Sequence, residues 1–296
     1  MTIDKLVVIG FGLIGASVAA GTRKNKGCRE VIAIARSEST RQSALNLKLA
    51  DRAYDSIESL PDVLTANDLI CVAVPTLTTE KIFTSLAKVV PSEVTITDCA
   101  SVKGSIREAA VKAYGKMPPQ LILGHPIAGS EQSGVNAANP DLYQQHKVIL
   151  AVEECNDRHH VDRVKKLWTD LGAEVLEMPV EEHDIVLAAT SHLPHVIAYS
   201  LVDTLAHDEE NENIFRYAAG GFKDFTRIAS SDPTMWHDIM LSNRDSILRA
   251  IDLFTNNLDV LRTAIENQDS EKLMDTFSRA KQARDQFSVQ VKKTSK

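Results

Sequence analysis

The chain has 296 residues, 44% of them apolar and 25% charged, with 40 acidic against 33 basic side chains and a net charge of −7. That length suits two domains, and a negative balance without a dense Lys/Arg stripe argues against nucleic acid as a partner. No apolar run in the sequence approaches the roughly eighteen residues a bilayer crossing needs, so the expectation is no membrane span.

The first residues, Met1-Thr2-Ile3-Asp4-Lys5, lack the basic flank and cleavage site of a signal peptide, and a cytoplasmic protein is expected. Lys5-Leu6-Val7-Val8-Ile9 reads as a strand, followed at once by Gly10-Phe11-Gly12-Leu13-Ile14-Gly15 and a helix-compatible run. Strand, G-x-G-x-x-G and helix in that order form a dinucleotide-binding signature. The first glycine makes the turn, the second lets backbone approach a pyrophosphate, and the third lets helix and strand pack closely. Gly10, Gly12, Leu13, Ile14 and Gly15 are therefore cofactor-binding candidates.

The second strand, Glu30 to Ile34, ends in Ala35-Arg36-Ser37 where NAD-binding units commonly place an acid for the ribose hydroxyls. A guanidinium and a hydroxyl suit a 2′-phosphate, so Arg36 and Ser37 favour NADP over NAD.

Asp68 to Val74 reads as a buried strand stopped by Pro75, with a helix over Thr78 to Val89; Val94 to Asp98 is a strand, with a helix through about Tyr114. Ligands of such sheets lie beyond the carboxyl ends of the strands, which places Pro75, Ser101 and Lys103 on the cofactor side. By spacing alone Ser101 reads as a helix N-cap. The four cysteines, Cys28, Cys71, Cys99 and Cys155, share no C-x-x-C spacing, so reduced, mostly buried thiols are expected and no zinc site.

Leu121-Ile122-Leu123 leads into Gly124-His125-Pro126-Ile127-Ala128-Gly129-Ser130-Glu131-Gln132-Ser133-Gly134. Three glycines and a proline around one histidine, one carboxylate and two hydroxyls read as a shaped loop, with His125 emerging from a strand end. Strand, helix and strand over Lys147–Val152, Asp157–Leu171 and Ala173–Met178 complete a first domain, with His159 and His160 read as solvated.

Past Pro179 the alternation gives way to helical patterns, so the domains are set at 1–180 and 181–296. Glu181-Glu182-His183-Asp184 reads as an acidic helix start. Ser191-His192-Leu193-Pro194-His195 puts a proline in a helical pattern, with two histidines that lack a third metal ligand and read as buried and hydrogen-bonded. Arg227 offers a planar fork for a carboxylate. Ile247, Ile251, Phe254, Leu258, Leu261 and Ile265, then Leu273, Phe277, Ala280 and Phe287 beyond a break at 267–270, form an apolar stripe suited to dimerisation.

The G-F-G-L-I-G turn, D-x-x-S-V-K at 98–103, the G-H-P-I-A-G-S-E-x-S-G loop, S-H-L-P-H and G-G-F-K-D-F-T-R-I-A-S-S-D-P-x-x-W resemble the prephenate and arogenate (cyclohexadienyl) dehydrogenase family. The resemblance implies an α/β Rossmann-type domain, an all-α helical dimerisation domain and an active site between them. It implies oxidative decarboxylation of prephenate, with arogenate as a further substrate, and hydride transfer to NADP or NAD in tyrosine biosynthesis. His125 would accept a hydrogen bond from the ring 4-hydroxyl and Ser101 would help hold both. Arg227 would bind the substrate carboxylate and His195 would line the pocket, as a candidate donor to a pyruvyl carboxylate. Ser130 and Glu131 are the remaining substrate contacts, and no metal is expected. The competing readings are an NADP-dependent β-hydroxy acid dehydrogenase of the same two-domain plan and a noncatalytic NADP-sensing dimer.

Overall fold

A computed structural model describes residues 3–60, 63–130, 132–207 and 214–294. The chain forms two compact units, Met1–Arg244 and Asp245–Lys296.

The first unit is built on an eight-stranded sheet of order β3-β2-β1-β4-β5-β6-β7-β8. The strands are β1 (Ile3–Ile9), β2 (Cys28–Ile34), β3 (Arg52–Tyr54), β4 (Leu69–Val72), β5 (Thr95–Asp98), β6 (Leu121–Ile127), β7 (Lys147–Ala151) and β8 (Glu174–Glu177). Helices α1 (Leu13–Lys24), α2 (Glu38–Asn46), α3 (Thr79–Val89), α4 (Gly104–Tyr114) and α5 (Arg158–Asp170) connect them. Alternate residues of β1 enter opposite cores, Leu6 and Val8 one, Val7 and Ile9 the other. Burial on both faces is why these strands read as continuous apolar runs.

Neighbouring strands from β3 through β6 are parallel, whereas β6 and β7 pair antiparallel with His125 opposite Ile149. Among the described residues the one helical turn between them is a 3₁₀ turn, Val135–Ala137, in place of a helical crossover. This places Gly124, His125 and Pro126 inside β6, buried, rather than on a loop. The pairing of β5 with β6 ends at Ile122, so beyond it β6 is paired on its β7 side, and a proline is tolerated on the other edge.

Past β8 the unit is helical, with α6 (Val180–Leu187), a π turn (Ala188–His192), α7 (Leu193–Ala206), α8 (Gly220–Thr226) and α9 (Pro233–Ser242). The first three form one continuous helix, Val180–Ala206, with an 18-residue window of mean hydropathy 1.5. By length and composition this helix meets the requirement for a membrane span, against the sequence expectation. Its buried His183, Asp184 and His192 are hydrogen-bonded within the protein, the environment of a folded core.

The helix α10 (Arg244–Glu266) begins at the boundary, and α11 (Ser270–Thr294) follows it. Within the second unit Leu258, Ile265, Met274 and Phe277 are exposed on the single chain.

Candidate active site

The glycine turn is stereochemically demanding. Gly10 has φ of +91°, and a Cβ there would lie 2.3 Å from the Ala73 carbonyl oxygen. A Cβ on Gly15 would lie 2.1 Å from the Gly10 oxygen and 2.8 Å from Val8 Cγ1, which is the close packing expected of the third glycine. At Gly12 a Cβ would meet nothing within 4 Å, so its lack of side chain keeps open the space in front of α1. Leu13 and Ile14 begin that helix, whose first turn holds no acidic residue and no side-chain cap. Backbone N–H groups of such a turn suit a pyrophosphate, and the turn sits at the carboxyl ends of β1 and β4. These residues fit a dinucleotide.

Arg36 and Ser37 are both exposed just past β2. Ser37 caps α2, its Oγ accepting from the Thr40 amide at 3.4 Å and sharing a hydrogen bond of 2.7 Å with Ser39 Oγ. Pro75 follows β4 and opens a 3₁₀ turn, Thr76–Thr78. Ser101 is partly buried between β5 and α4, but it is not the cap of α4. Asp184 does that work from a distance, its Oδ1 accepting from the Lys103 amide and its Oδ2 from the Gly104 amide, each at 2.8 Å.

Lys103 does not point toward a cofactor. Its fully buried ammonium donates to Asp98 Oδ2 and to the Gly124 carbonyl, both at 2.5 Å. Asp98 Oδ1 in turn accepts from the Gly124 amide at 3.0 Å. A buried ion pair is costly unless its remaining valences are met, and here they are met by backbone. The ammonium and carboxylate clamp β6 one residue before His125, and a Cβ on Gly124 would lie 2.8 Å from the Asp98 carbonyl oxygen.

His125 is buried, with Nδ1 2.8 Å from His183 Nε2. His183 Nδ1 lies 2.8 Å from Asp184 Oδ1. Burial, reinforced by the charges of neighbouring His183 and Lys103, holds the His125 imidazole well below the usual histidine range, so the ring is neutral. Burial also lowers His183. For Asp184 burial pushes upward, but hydrogen bonds from His183 and the two amides outweigh it and keep the carboxyl below its ordinary value.

Asn243 Nδ2 ties the Asp184 carbonyl, at 2.8 Å, to His192 Nδ1, at 3.2 Å. Trp236 packs edge-on to His192 and stacks on His195 with centroids 3.6 Å apart. Arg227, exposed, lies near enough for its charge to add to the burial that lowers His195. Contacts thus run from His125 through His183, Asp184, Asn243, His192 and Trp236 to His195, uniting residues from both sides of position 180 within the first compact unit.

His195 Nδ1 sits 2.9 Å from the Ser191 carbonyl and donates to it, which leaves Nε2 of the neutral ring as an acceptor. Donation from this ring to a carboxylate is therefore not available while it is neutral. Ser130 is exposed and its Oγ accepts from the Gln132 amide at 3.2 Å; Glu131 lies outside the described residues. His160, read as solvated, is instead buried and shares a hydrogen bond of 2.8 Å with Thr95 Oγ1. All four cysteines are free, but only Cys71 is fully buried and Cys155 is exposed.

Sequence reasoning passed over His183, Asp184, Asn243 and Trp236. The pair His183-Asp184 was visible only as part of an acidic helix start, and neither its partner helix nor its depth is encoded locally.

A dinucleotide cradle at the head of a parallel sheet, with a neutral imidazole presented two strands beyond β4, defines the class as a nicotinamide-nucleotide dehydrogenase. Residues 18–177 match the family model for the prephenate dehydrogenase nucleotide-binding domain, and residues 179–279 match that for the prephenate dehydrogenase dimerization domain. The chain is 36% identical to a cyclohexadienyl dehydrogenase of Zymomonas mobilis over 96% of each chain. It is 37% identical to a prephenate dehydrogenase of Bacillus subtilis, over 98% of this chain and 77% of that one. Among solved structures, prephenate dehydrogenase from A. aeolicus in complex with hydroxyphenyl propionate and NAD+ superposes with a TM-score of 0.90 at 34% identity, covering 97% of this chain and 99% of that one. The chain belongs to the prephenate dehydrogenase family and is an oxidoreductase of aromatic amino acid biosynthesis.

Proposed function

We propose that the chain catalyses the oxidative decarboxylation of prephenate on the route to tyrosine, as a cytoplasmic homodimer using NADP in preference to NAD. The observation that carries the reading is a neutral, buried His125 beside a complete dinucleotide cradle. When bound, the nicotinamide supplies the hydride acceptor.

The residues then divide the work. Gly10, Gly12, Leu13, Ile14 and Gly15 hold the pyrophosphate; Arg36 and Ser37 meet the 2′-phosphate; Pro75 and Ser101 border the nicotinamide end. His125 Nε2 takes the proton of the ring 4-hydroxyl, and the electron pair of that O–H bond forms the carbonyl as hydride leaves the same carbon. Loss of carbon dioxide and aromatisation supply the driving force. Ser101 orients the hydroxyl, Arg227 grips the carboxylate, and Ser130 is a further substrate contact. The acceptor at His195 Nε2 favours arogenate, whose ammonium can donate to it, as a second substrate.

The β-hydroxy acid and sensor alternatives are disfavoured, because full-length relatives are named as prephenate or cyclohexadienyl dehydrogenases. Following reduced-cofactor absorbance with prephenate and arogenate, each with NAD and NADP, tests the assignment directly. Prephenate with NADP is expected to give the highest kcat/KM, and His125→Asn is expected to lower kcat by about 10²-fold while the cofactor still binds. Undiminished turnover by that variant would remove His125 from the chemistry.

A further inference from the structure

A histidine accepts a proton at Nε2 only if its own proton sits on Nδ1, so the His125 tautomer decides whether it can work as a base at all. Nothing in β6 sets that tautomer; its Nδ1 partner is another histidine, on α6.

We propose that His183, held by Asp184, is the positioning residue that keeps the His125 proton on Nδ1 and its lone pair on Nε2. The proposal rests on the reading of His125 as proton acceptor. Two backbone amides donate to Asp184, Lys103 to Oδ1 and Gly104 to Oδ2, and Nδ1 of His183 lies against Oδ1, all at 2.8 Å. A carboxyl group that takes an amide on each oxygen and is held below its ordinary value is an acceptor-only carboxylate, so His183 Nδ1 must carry hydrogen. In a neutral His183 the remaining nitrogen, Nε2, is then a lone pair. It faces His125 Nδ1 at 2.8 Å, which must therefore be the donor. The polarity of the chain runs one way, from His125 through His183 to Asp184, and it leaves Nε2 of His125 bare.

Charge supports the same arrangement. The titratable or charged groups near His183 are His125 from β6, Asp98 and Lys103 from β5 and the turn after it, Asp184 beside it, and His192 from the π turn. With the imidazoles neutral, Asp98 and Lys103 pair with each other, and Asp184 is the carboxylate left at the end of the chain that starts at His125. The same order of base and orienting group recurs wherever a histidine base is oriented by a carboxylate, here with one imidazole interposed.

Two variants and one spectrum test this. His183→Leu is expected to lower kcat roughly 10²-fold and displace the acid limb of the kcat/KM profile, with KM and cofactor affinity changed less than about threefold. His183→Gln keeps an amide oxygen toward His125 and an N–H toward Asp184, and is expected to recover most of the loss. Wild-type kcat and an unmoved acid limb in His183→Leu would overturn the proposal, as would equal loss in both variants when both are folded.

Should His183→Leu not fold, ¹⁵N–¹H correlation spectra of the histidine-labelled wild-type enzyme decide alone: an Nδ1–H tautomer for His125 supports the inference, and an Nε2–H tautomer refutes it. That spectrum needs no substrate, so failure of the prephenate assignment and failure of the positioning role are read separately.

Discussion

His125, His183 and His195 are the same residue type put to different tasks by what each ring nitrogen meets. His125 Nδ1 and His195 Nδ1 both face protein partners, and under the proposed function the Nε2 of each neutral ring is the acceptor left for substrate. The proposed function assigns recognition of the substrate carboxylate to Arg227, whose fork is charged at every working pH. Replacing Arg227 with alanine is expected to raise the prephenate KM by ~10- to 100-fold with a much smaller change in kcat, because carboxylate binding is shared by ground and transition states. Steady-state kinetics in which KM stayed at its wild-type value would place the carboxylate anchor elsewhere.

The helix from Val180 to Ala206 delivers most of the second set of groups. Pro194 lies in the first turn of α7, where its missing N–H is tolerated, and the π turn over Ala188–His192 absorbs the change of register. The outcome is that His183 and Asp184 face β6 and α4, while His192 reaches Asn243.

Burial holds His192 down to about 4, against an ordinary value of 6.5. The unfolded chain therefore binds a proton here at higher pH than the folded one, so the stabilisation is complete above about 6.5 and is lost as pH falls toward 4. This residue accounts for roughly 3 kcal/mol across that window. Denaturant midpoints measured from pH 7 to 4 should fall less steeply in His192→Gln than in wild type; identical slopes would show that other groups carry the acid sensitivity.

At the scale of the whole molecule, the apolar side chains left uncovered on the second unit demand a partner. Leu258, Ile265, Met274, Phe277 and Phe287 are each more than half exposed, and residues 179–279 match a dimerization domain. Apolar surface of this extent is costly in a free monomer. Sedimentation equilibrium is expected to give twice the 32.5 kDa chain mass for the wild type. Leu258→Glu combined with Phe277→Glu should return the monomer while leaving the helical circular dichroism intact; a persisting dimer would move the interface off this face.

What the sequence determined by itself was whatever depends on neighbours along the chain. The glycine turn, the strand and helix periodicities and the break near 267–270 were legible, because steric demand and hydrophobic spacing act over a few residues, whereas His125, Ser101 and Arg227 were singled out by the motifs shared with a known family. What only the tertiary structure decided was direction and depth. That residues 124–126 lie within a strand, that Lys103 turns inward to the Gly124 carbonyl, that Asp184 caps α4 from 80 residues away, and that His183 stands behind His125 all arise from through-space contacts between separate segments. A polar side chain carries no local mark of the partner that will satisfy it; burial imposes the need for one, and only the fold supplies it.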